Sequence, residues 1–407
     1  MEGPLKHIRV LDLSRVLAGP WATQTLADLG AEVIKVERPE IGDDTRGWGP
    51  PFLADQEGNP TSDSAYFLST NRGKKSVTID FTRPGGQDLV RRLAATCDIV
   101  MENFKVGGLA QYGLDYESMK AINPGIIYCS ITGFGQTGPY RLRAGYDFLI
   151  QGMGGLMSVT GEPDHVAGGG PVKVGVAIVD LFTGMYAATA VLAALASRER
   201  TGAGQYIDLA LFDVQVATLA NQATNYLVTG KSPERLGNSH PNIVPYQVFA
   251  TSDSYLILAV GNDVQYRKFC EVAGIPQLAT NELFVTNSDR VRNRDCLIPV
   301  LREKFATQTK AWWIDQLEKV GVPCGPINNL EEVFADPQIL AREICMKVEH
   351  SAAGQIRLIG SPIKFSTTPI GTAQPPPLLG EHTAHVLKQI LNIDSHEFAE
   401  LHETGII

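Results

Sequence analysis

The apolar positions of the first 135 residues fall into short runs separated by segments of a different period. "HIRVLDL" (7–13) is a compact apolar run of the kind that forms a buried strand. "GPWATQTLADLGA" follows with helical spacing. Pro20 stands where a first turn tolerates it, and Gly30 where a helix stops. "AEVIKVE" (31–37), "KKSVTIDF" (74–81), "CDIVMEN" (97–103) and "GIIYCSITGF" (125–134) repeat the strand pattern, and "PGGQDLVRRLAAT" supplies another helix between them. This alternation predicts a doubly wound α/β sheet. A second pattern starts near residue 243. "IVPYQVFATSDSYLILAVG" reads as two strands joined by a polar turn, followed by helical segments such as "TKAWWIDQLEKVG". It predicts a smaller α+β domain ending near "GVPCGPINN". The expected division is a large domain over 1–222, a small domain over 223–330, and a return to the large domain over 331–407.

One stretch breaks the pattern. In "VKVGVAIVDLFTGMYAATAVLAALASRERTG" (172–202), Asp180 is a lone carboxylate in a long apolar run. Residues 174–196 pass a length test for a membrane span, but an Asp at its centre is costly and no second span exists to pair it. "VKVGVAIV" is strand-like and "LFTGMYAATAVLAALASRER" helical, so Asp180 fits a helix N-cap. A carboxylate there also meets the positive end of the helix dipole, which favours its ionised form, while apolar neighbours oppose it. Such a group on a rigid turn is a competent oxygen nucleophile toward an activated acyl group.

Composition narrows the partners. Of 407 residues, 44% are apolar and 19% charged, an ordinary globular mix, and the net charge of −9 argues against nucleic acid or an anionic membrane. "MEGPLKHIRVLDL" shows no apolar secretory core, and the six cysteines (97, 129, 270, 296, 324, 345) form no C-x-x-C pair. Reduced, buried thiols in a cytoplasmic protein are expected. His382 and His385 have no third ligand nearby in sequence, so no metal site is expected and both read as helix-surface residues.

Basic residues nevertheless gather in the loops around the expected strand ends: Arg38, Arg72, Lys74, Lys75, Lys105, Arg141 and Arg143. Those loops are where open α/β sheets bind ligands. The first turn, "SRVLAGPW", lacks G-x-G-x-x-G, and neither a P-loop nor a G-x-S-x-G elbow occurs. A phosphate-rich ligand held by side chains fits this pattern. Gly133, Gly135 and Gly168–Gly170 mark turns.

The segments "VLDLSRVLAGPWATQTLADLGAEVIKVERP", "GDDTRGWGPPF", "NRGKKSVTIDF", "ENFKVG", "GLDYESMKAINPGIIYCSITGFGQTGP", "RAGYDFLIQ", "GVAIVDLFTGMYAA", "RTGAGQYIDLALFD", "GVPCGPINN" and "PPPLLGEHT" together resemble the class III CoA-transferases. That group includes formyl-CoA transferase and L-carnitine CoA-transferase. The resemblance runs through nearly the whole chain. It implies a Rossmann-like large domain built from both chain ends, an inserted small domain, and an interlocked, ring-shaped homodimer. It also implies that Asp180 is the nucleophile, passing through a mixed aspartyl anhydride and an aspartyl-CoA thioester. CoA enters as part of the substrate, with no tightly bound cofactor.

Carried over by position, the implied CoA contacts are Val16, Ala18, Arg38, Ile79, Asn103 and Phe104. Arg143 is added beside the active-site pair Tyr146 and Asp147. Formyl-CoA transferases carry His and Gln where this chain has Arg15 and Leu17, and an Arg where it has Gln111. "GDDTRGWGPP", "HPNIVPYQVF" and "GVPCGPINN" look closer to the subgroup using succinyl-CoA and dicarboxylates such as glutarate, hydroxymethylglutarate, malate or itaconate. A dicarboxylate keeps one carboxylate free, so a cation is expected in the pocket: Arg15, Arg46 or Arg72, with His240 as a hydrogen-bond donor. The alternatives are a formyl-CoA/oxalate or carnitine transferase, a 2-methylacyl-CoA racemase and a non-catalytic CoA-binding scaffold. The racemases carry "AGHD" where this chain reads "AGYD", and a Tyr is a poor base at neutral pH.

Overall fold

The computed structural model describes residues 3–370 and 374–407. Met1 and Glu2 of the N-terminal stretch, and Ala373 at the start of the proline run, lie outside these described residues. The chain divides into two compact units. One comprises Met1–Leu156, Val174–Ala223 and Pro337–Ile407, the other Met157–Lys173 and Thr224–Asp336.

The large unit is built on six strands: β1 (Arg9–Asp12), β2 (Glu32–Glu37), β3 (Lys74–Thr78), β4 (Ile99–Glu102), β5 (Ile127–Thr132) and β6 (Gln205–Ala210). All pairings are parallel and the order is β3-β2-β1-β4-β5-β6, the doubly wound order of dinucleotide-type folds. The five expected strands are present, each shorter than its apolar run. The sixth, "QYIDLA", lies at the sheet edge, and only its last residue, Ala210, is fully buried.

Four helices matter for the site: α1 (Ala18–Asp28), α2 (Pro84–Ala94), α3 (Asp147–Met153) and α4 (Ile178–Thr201). One apolar cluster packs Leu11, Ile34, Val77 and Val100 against Leu89 and Leu93 of α2. The other packs Val10, Val33, Ile99 and Ile127 against α1 and α4. Among the described residues α4 is the one helix long and apolar enough to cross a membrane by length and composition. It lies against α1 at Gly184, where a Cβ would sit 2.7 Å from the Ala18 carbonyl oxygen and 2.9 Å from Trp21. At its far end Arg198 pairs with Asp98 at 2.9 Å.

The smaller unit carries β7 (Tyr246–Ala250), β8 (Tyr255–Ala259) and β9 (Cys324–Pro326) in an antiparallel sheet ordered β9-β8-β7. The β7–β8 hairpin and the helix Lys310–Lys319 match the sequence pattern. Phe249, Phe269, Phe305 and Trp313 stack at its centre, and the Trp313 indole donates to the Phe305 carbonyl at 3.0 Å. The Thr309 hydroxyl caps the Lys310–Lys319 helix by accepting from the Trp312 N–H. Thr309→Ala is expected to cost about 1 kcal/mol, read as a lower urea midpoint.

All six cysteines are free; Cys97, Cys129 and Cys270 are buried, whereas Cys296 is exposed. No group of metal-ligating side chains occurs among the described residues. His385 is exposed as expected. His382 instead precedes its helix, is partly buried, and has its pKa lowered by that burial.

Candidate active site

The order of the large sheet reverses between β1 and β4, so the loops after these strands diverge and leave a crevice. A cavity of about 510 Å3 occupies it, within the size range of small-molecule sites. The β1 loop contributes Leu13 and Arg15–Ala18, the β2 strand and loop Lys35–Arg38, Gly42 and Asp43, and the β3 end Ile79–Thr82. The β4 loop adds Asn103–Val106, the segment after β5 adds Arg141–Tyr146, and α4 adds Asp180. Asn103 fastens two of these loops, accepting from the Arg15 N–H at 2.9 Å and donating to the Arg15 carbonyl at 2.7 Å. Gly133 and Gly145 meet closely behind the β5 loop; a Cβ on Gly145 would lie 2.6 Å from the Gly133 Cα. Those glycines thus permit a close backbone approach in the cavity wall.

Asp180 is not the helix cap. The N-cap of α4 is Ala177, which offers no side-chain bond, and Asp180 lies in the first turn. The cap comes from Asp147, 33 residues earlier at the start of α3: its Oδ2 accepts the N–H groups of Val179 at 2.8 Å and Asp180 at 3.4 Å. Gln151 holds the other oxygen of Asp147 and itself accepts from the Val174 N–H at 2.9 Å. The helix-end donors are therefore spent on Asp147. Burial, and then the Asp147 charge, push Asp180 up to about 7. Of the two opposing effects expected at this position, burial outweighs the helix end.

Tyr66, which the sequence did not single out, senses the same charges. Burial, then Asp180, Asp147 and Asp43, push its phenol up to about 12, so it stays a neutral donor. Its ring meets Trp48 edge-on at 5.2 Å.

The expected ligand contacts Val16, Ala18, Arg38, Ile79, Asn103, Phe104, Arg143 and Tyr146 all line the cavity with Asp180; Asp147 sits behind it as the cap. Arg143 lies over the Tyr140 and Phe134 rings at 4.7 and 5.3 Å. Arg15 lies over Phe104 at 5.0 Å and pairs with Asp44, which also meets Arg38.

Arg46 and Arg72 are placed elsewhere. Arg46 is buried, bound to Glu37, Asp63 and the Pro377 carbonyl, and stacked 3.7 Å from the Phe67 ring centre. Arg72 is buried against Asp28. Neither guanidinium is open to a small acid. His240 belongs to the smaller unit; its Nδ1 accepts from the Asn242 N–H at 3.0 Å, and burial with Arg294 nearby lowers its pKa.

The sheet interior beside the cavity carries charge. Asp12 and Lys35 are register neighbours on β1 and β2; Lys74 bonds Asp12 at 3.1 Å and Lys35 bonds Asp43 at 2.8 Å, all four side chains being buried. Burial lowers Lys74 to about 8. The signal for this cluster was present in "EVIKVE". Lys35 and Glu37 share one face of a strand buried on both sides, and charges there require partners.

A parallel sheet in this order places a half-buried carboxylate and the cations Arg15, Arg38, Lys105, Arg141 and Arg143 around one cavity, an arrangement suited to an anionic ligand in an α/β protein. The chain belongs to CoA-transferase family III, whose model matches residues 5–383. It is thus a CoA-transferase, an enzyme acting on CoA thioesters. It is 53% identical over 395 residues to the succinate–glutarate CoA-transferase of Agrobacterium fabrum, covering 96% of each chain. To the human succinyl-CoA:glutarate CoA-transferase it is 46% identical over 404 residues, covering 99% of this chain and 90% of that one. The crystal structure of a CAIB/BAIF family protein from Brucella suis is similar throughout, with TM-score 0.83, 53% identity, and coverage of 96% of this chain and 100% of that one.

Proposed function

We propose that this enzyme moves CoA from succinyl-CoA to glutarate or a closely similar dicarboxylic acid, with Asp180 as the nucleophile. The observation that carries the proposal is a cavity uniting the half-buried Asp180 with five basic side chains, Arg15, Arg38, Lys105, Arg141 and Arg143. The names of the relatives support the substrate pair.

The Asp180 carboxylate attacks the thioester carbonyl, the C–S bond breaks, and CoA leaves as thiolate from a mixed anhydride. The thiolate attacks the aspartyl carbonyl, releasing succinate and leaving an aspartyl-CoA thioester. The acceptor carboxylate attacks that thioester, giving a new anhydride and thiolate. The thiolate takes the acceptor's acyl group and Asp180 is freed. The half-buried position of Asp180 limits water, which the anhydride requires.

The cationic rim matches the phosphates of CoA, and Arg15 is the one of the three arginine candidates that lines the cavity, so it is assigned to the acceptor's free carboxylate. The exposed rim arginines are screened by salt, so KM for acyl-CoA is expected to rise several-fold between about 0.05 and 0.5 M salt, with kcat changing little. Steady-state kinetics over that range check it. A donor-by-acceptor activity matrix tests the substrates: the largest kcat/KM is expected for succinyl-CoA with glutarate, and activity confined to formyl-CoA and oxalate would overturn that pair.

The interlocked homodimer belongs to this proposal as well. Phe182, Met185 and Tyr186 of α4, with Phe148 and Leu149 of α3, are between 41% and 58% exposed, an apolar surface that a second copy would cover. Sedimentation at micromolar concentration is expected to give a dimer. A reducing, cytoplasmic location is supported by the free thiols.

A further inference from the structure

The β1 loop reaches the cavity in a constrained conformation. Val16 has φ +70°, a left-handed value that a β-branched residue adopts only when its surroundings impose it. Its N–H donates to both carboxylate oxygens of Asp43, each at 3.3 Å. Asp43 Oδ1 also takes the Thr45 N–H at 3.0 Å and hydroxyl at 2.8 Å, while Oδ2 takes Lys35 Nζ at 2.8 Å. The same ammonium donates to the Ser14 carbonyl at 2.9 Å. The Lys35 and Asp43 side chains are 1% and 0% exposed. A buried ion pair adds little stability over an apolar pair of the same shape, so its presence calls for another use. Here both charges grip the loop, Lys35 at Ser14 and Asp43 at Val16.

We propose that the buried Lys35–Asp43 pair is a positioning device for acyl-CoA binding, holding Val16 left-handed so that the β1 loop presents one fixed wall to the ligand. The pair acts through the loop and touches no reacting atom. The proposal rests on the reading of this cavity as the acyl-CoA site. The Lys35 charge and the Thr45 N–H, working against burial, hold Asp43 at about 2, so the grip persists across the working pH range.

The test is Asp43→Asn. Asparagine keeps one acceptor oxygen, whereas Thr45 and Lys35 occupy different oxygens and Val16 bonds both. The Kd for CoA, by calorimetry, and the KM for succinyl-CoA are expected to rise about tenfold, with kcat at saturation within about threefold of wild type. Adding Val16→Gly is expected to recover part of that loss, because glycine takes a positive φ without being held there. An unchanged KM in D43N, a fall in kcat at constant KM, or a double variant as weak as D43N would each overturn the proposal. Should D43N fail to fold, K35M/D43N removes both charges together and is expected to show the same raised KM; a wild-type KM there overturns it. Wild-type protein that does not bind CoA would instead remove the reading of the cavity itself, whereas normal wild-type binding with an indifferent D43N removes the positioning role alone.

Discussion

Asp180→Asn is expected to lower CoA exchange at least about 10^4-fold while leaving CoA binding as tight as in wild type or tighter. The amide keeps the shape of the side chain but has no anionic oxygen to attack a thioester, so no covalent route remains. Binding survives because the cationic rim is untouched, and above pH 7 the variant also removes a negative charge that faces an anionic ligand. Exchange kinetics and calorimetry on the same preparation separate the two effects. Stability gives an independent sign. Asp180 is raised from 3.8 to about 7, so folding favours its protonated form. That contribution is complete below about pH 4 and is lost as pH rises through 7. D180N is therefore expected to gain stability over wild type at pH 8 and to show no such gain at pH 4.

Asp147→Asn is expected to move the acid limb of kcat/KM from near pH 7 toward lower pH. Burial is the larger cause of the raised Asp180 value and remains in the variant; the Asp147 charge is the second cause and is removed. The limb thus settles between the ordinary carboxylate value of 3.8 and about 7. At pH 6 a carboxyl titrating near 7 is roughly one-tenth ionised, so the variant gains up to about tenfold relative to its own activity at pH 8. The amide can still accept from the Val179 N–H, but it loses its bond with Gln151, which lowers the plateau at high pH. A limb that stays at 7 would show that burial alone sets the nucleophile's basicity.

The alternation of apolar runs carried the parallel sheet. It missed β6, whose half-exposed "QYIDLA" has no continuous apolar run to announce it. The boundary at Asp180 was legible as the start of a helix, but not the cap. Asp147 comes from another helix, and no local pattern shows that it takes the donors Asp180 was expected to face. The cationic loops pointed to an anionic ligand, yet Arg46 and Arg72 read in sequence like Arg38 and Arg143. What separates them is burial against Glu37, Asp63 and Asp28, which only the folded chain brings together. Lys35 was the reverse case. Its place inside an apolar strand is a signal of a partnered interior charge that the strand pattern alone did not use, and its partner Asp43 lies in the loop that follows the strand.

The central claim is that Asp180 becomes covalently attached to CoA during turnover. Mass spectrometry of peptides from enzyme incubated with succinyl-CoA and quenched in acid tests it most directly. The account predicts a CoA thioester on the peptide that contains Asp180, present in wild type, absent in D180N, and discharged when glutarate is added. Turnover with no adduct on that peptide, or with CoA attached at another side chain, would contradict it.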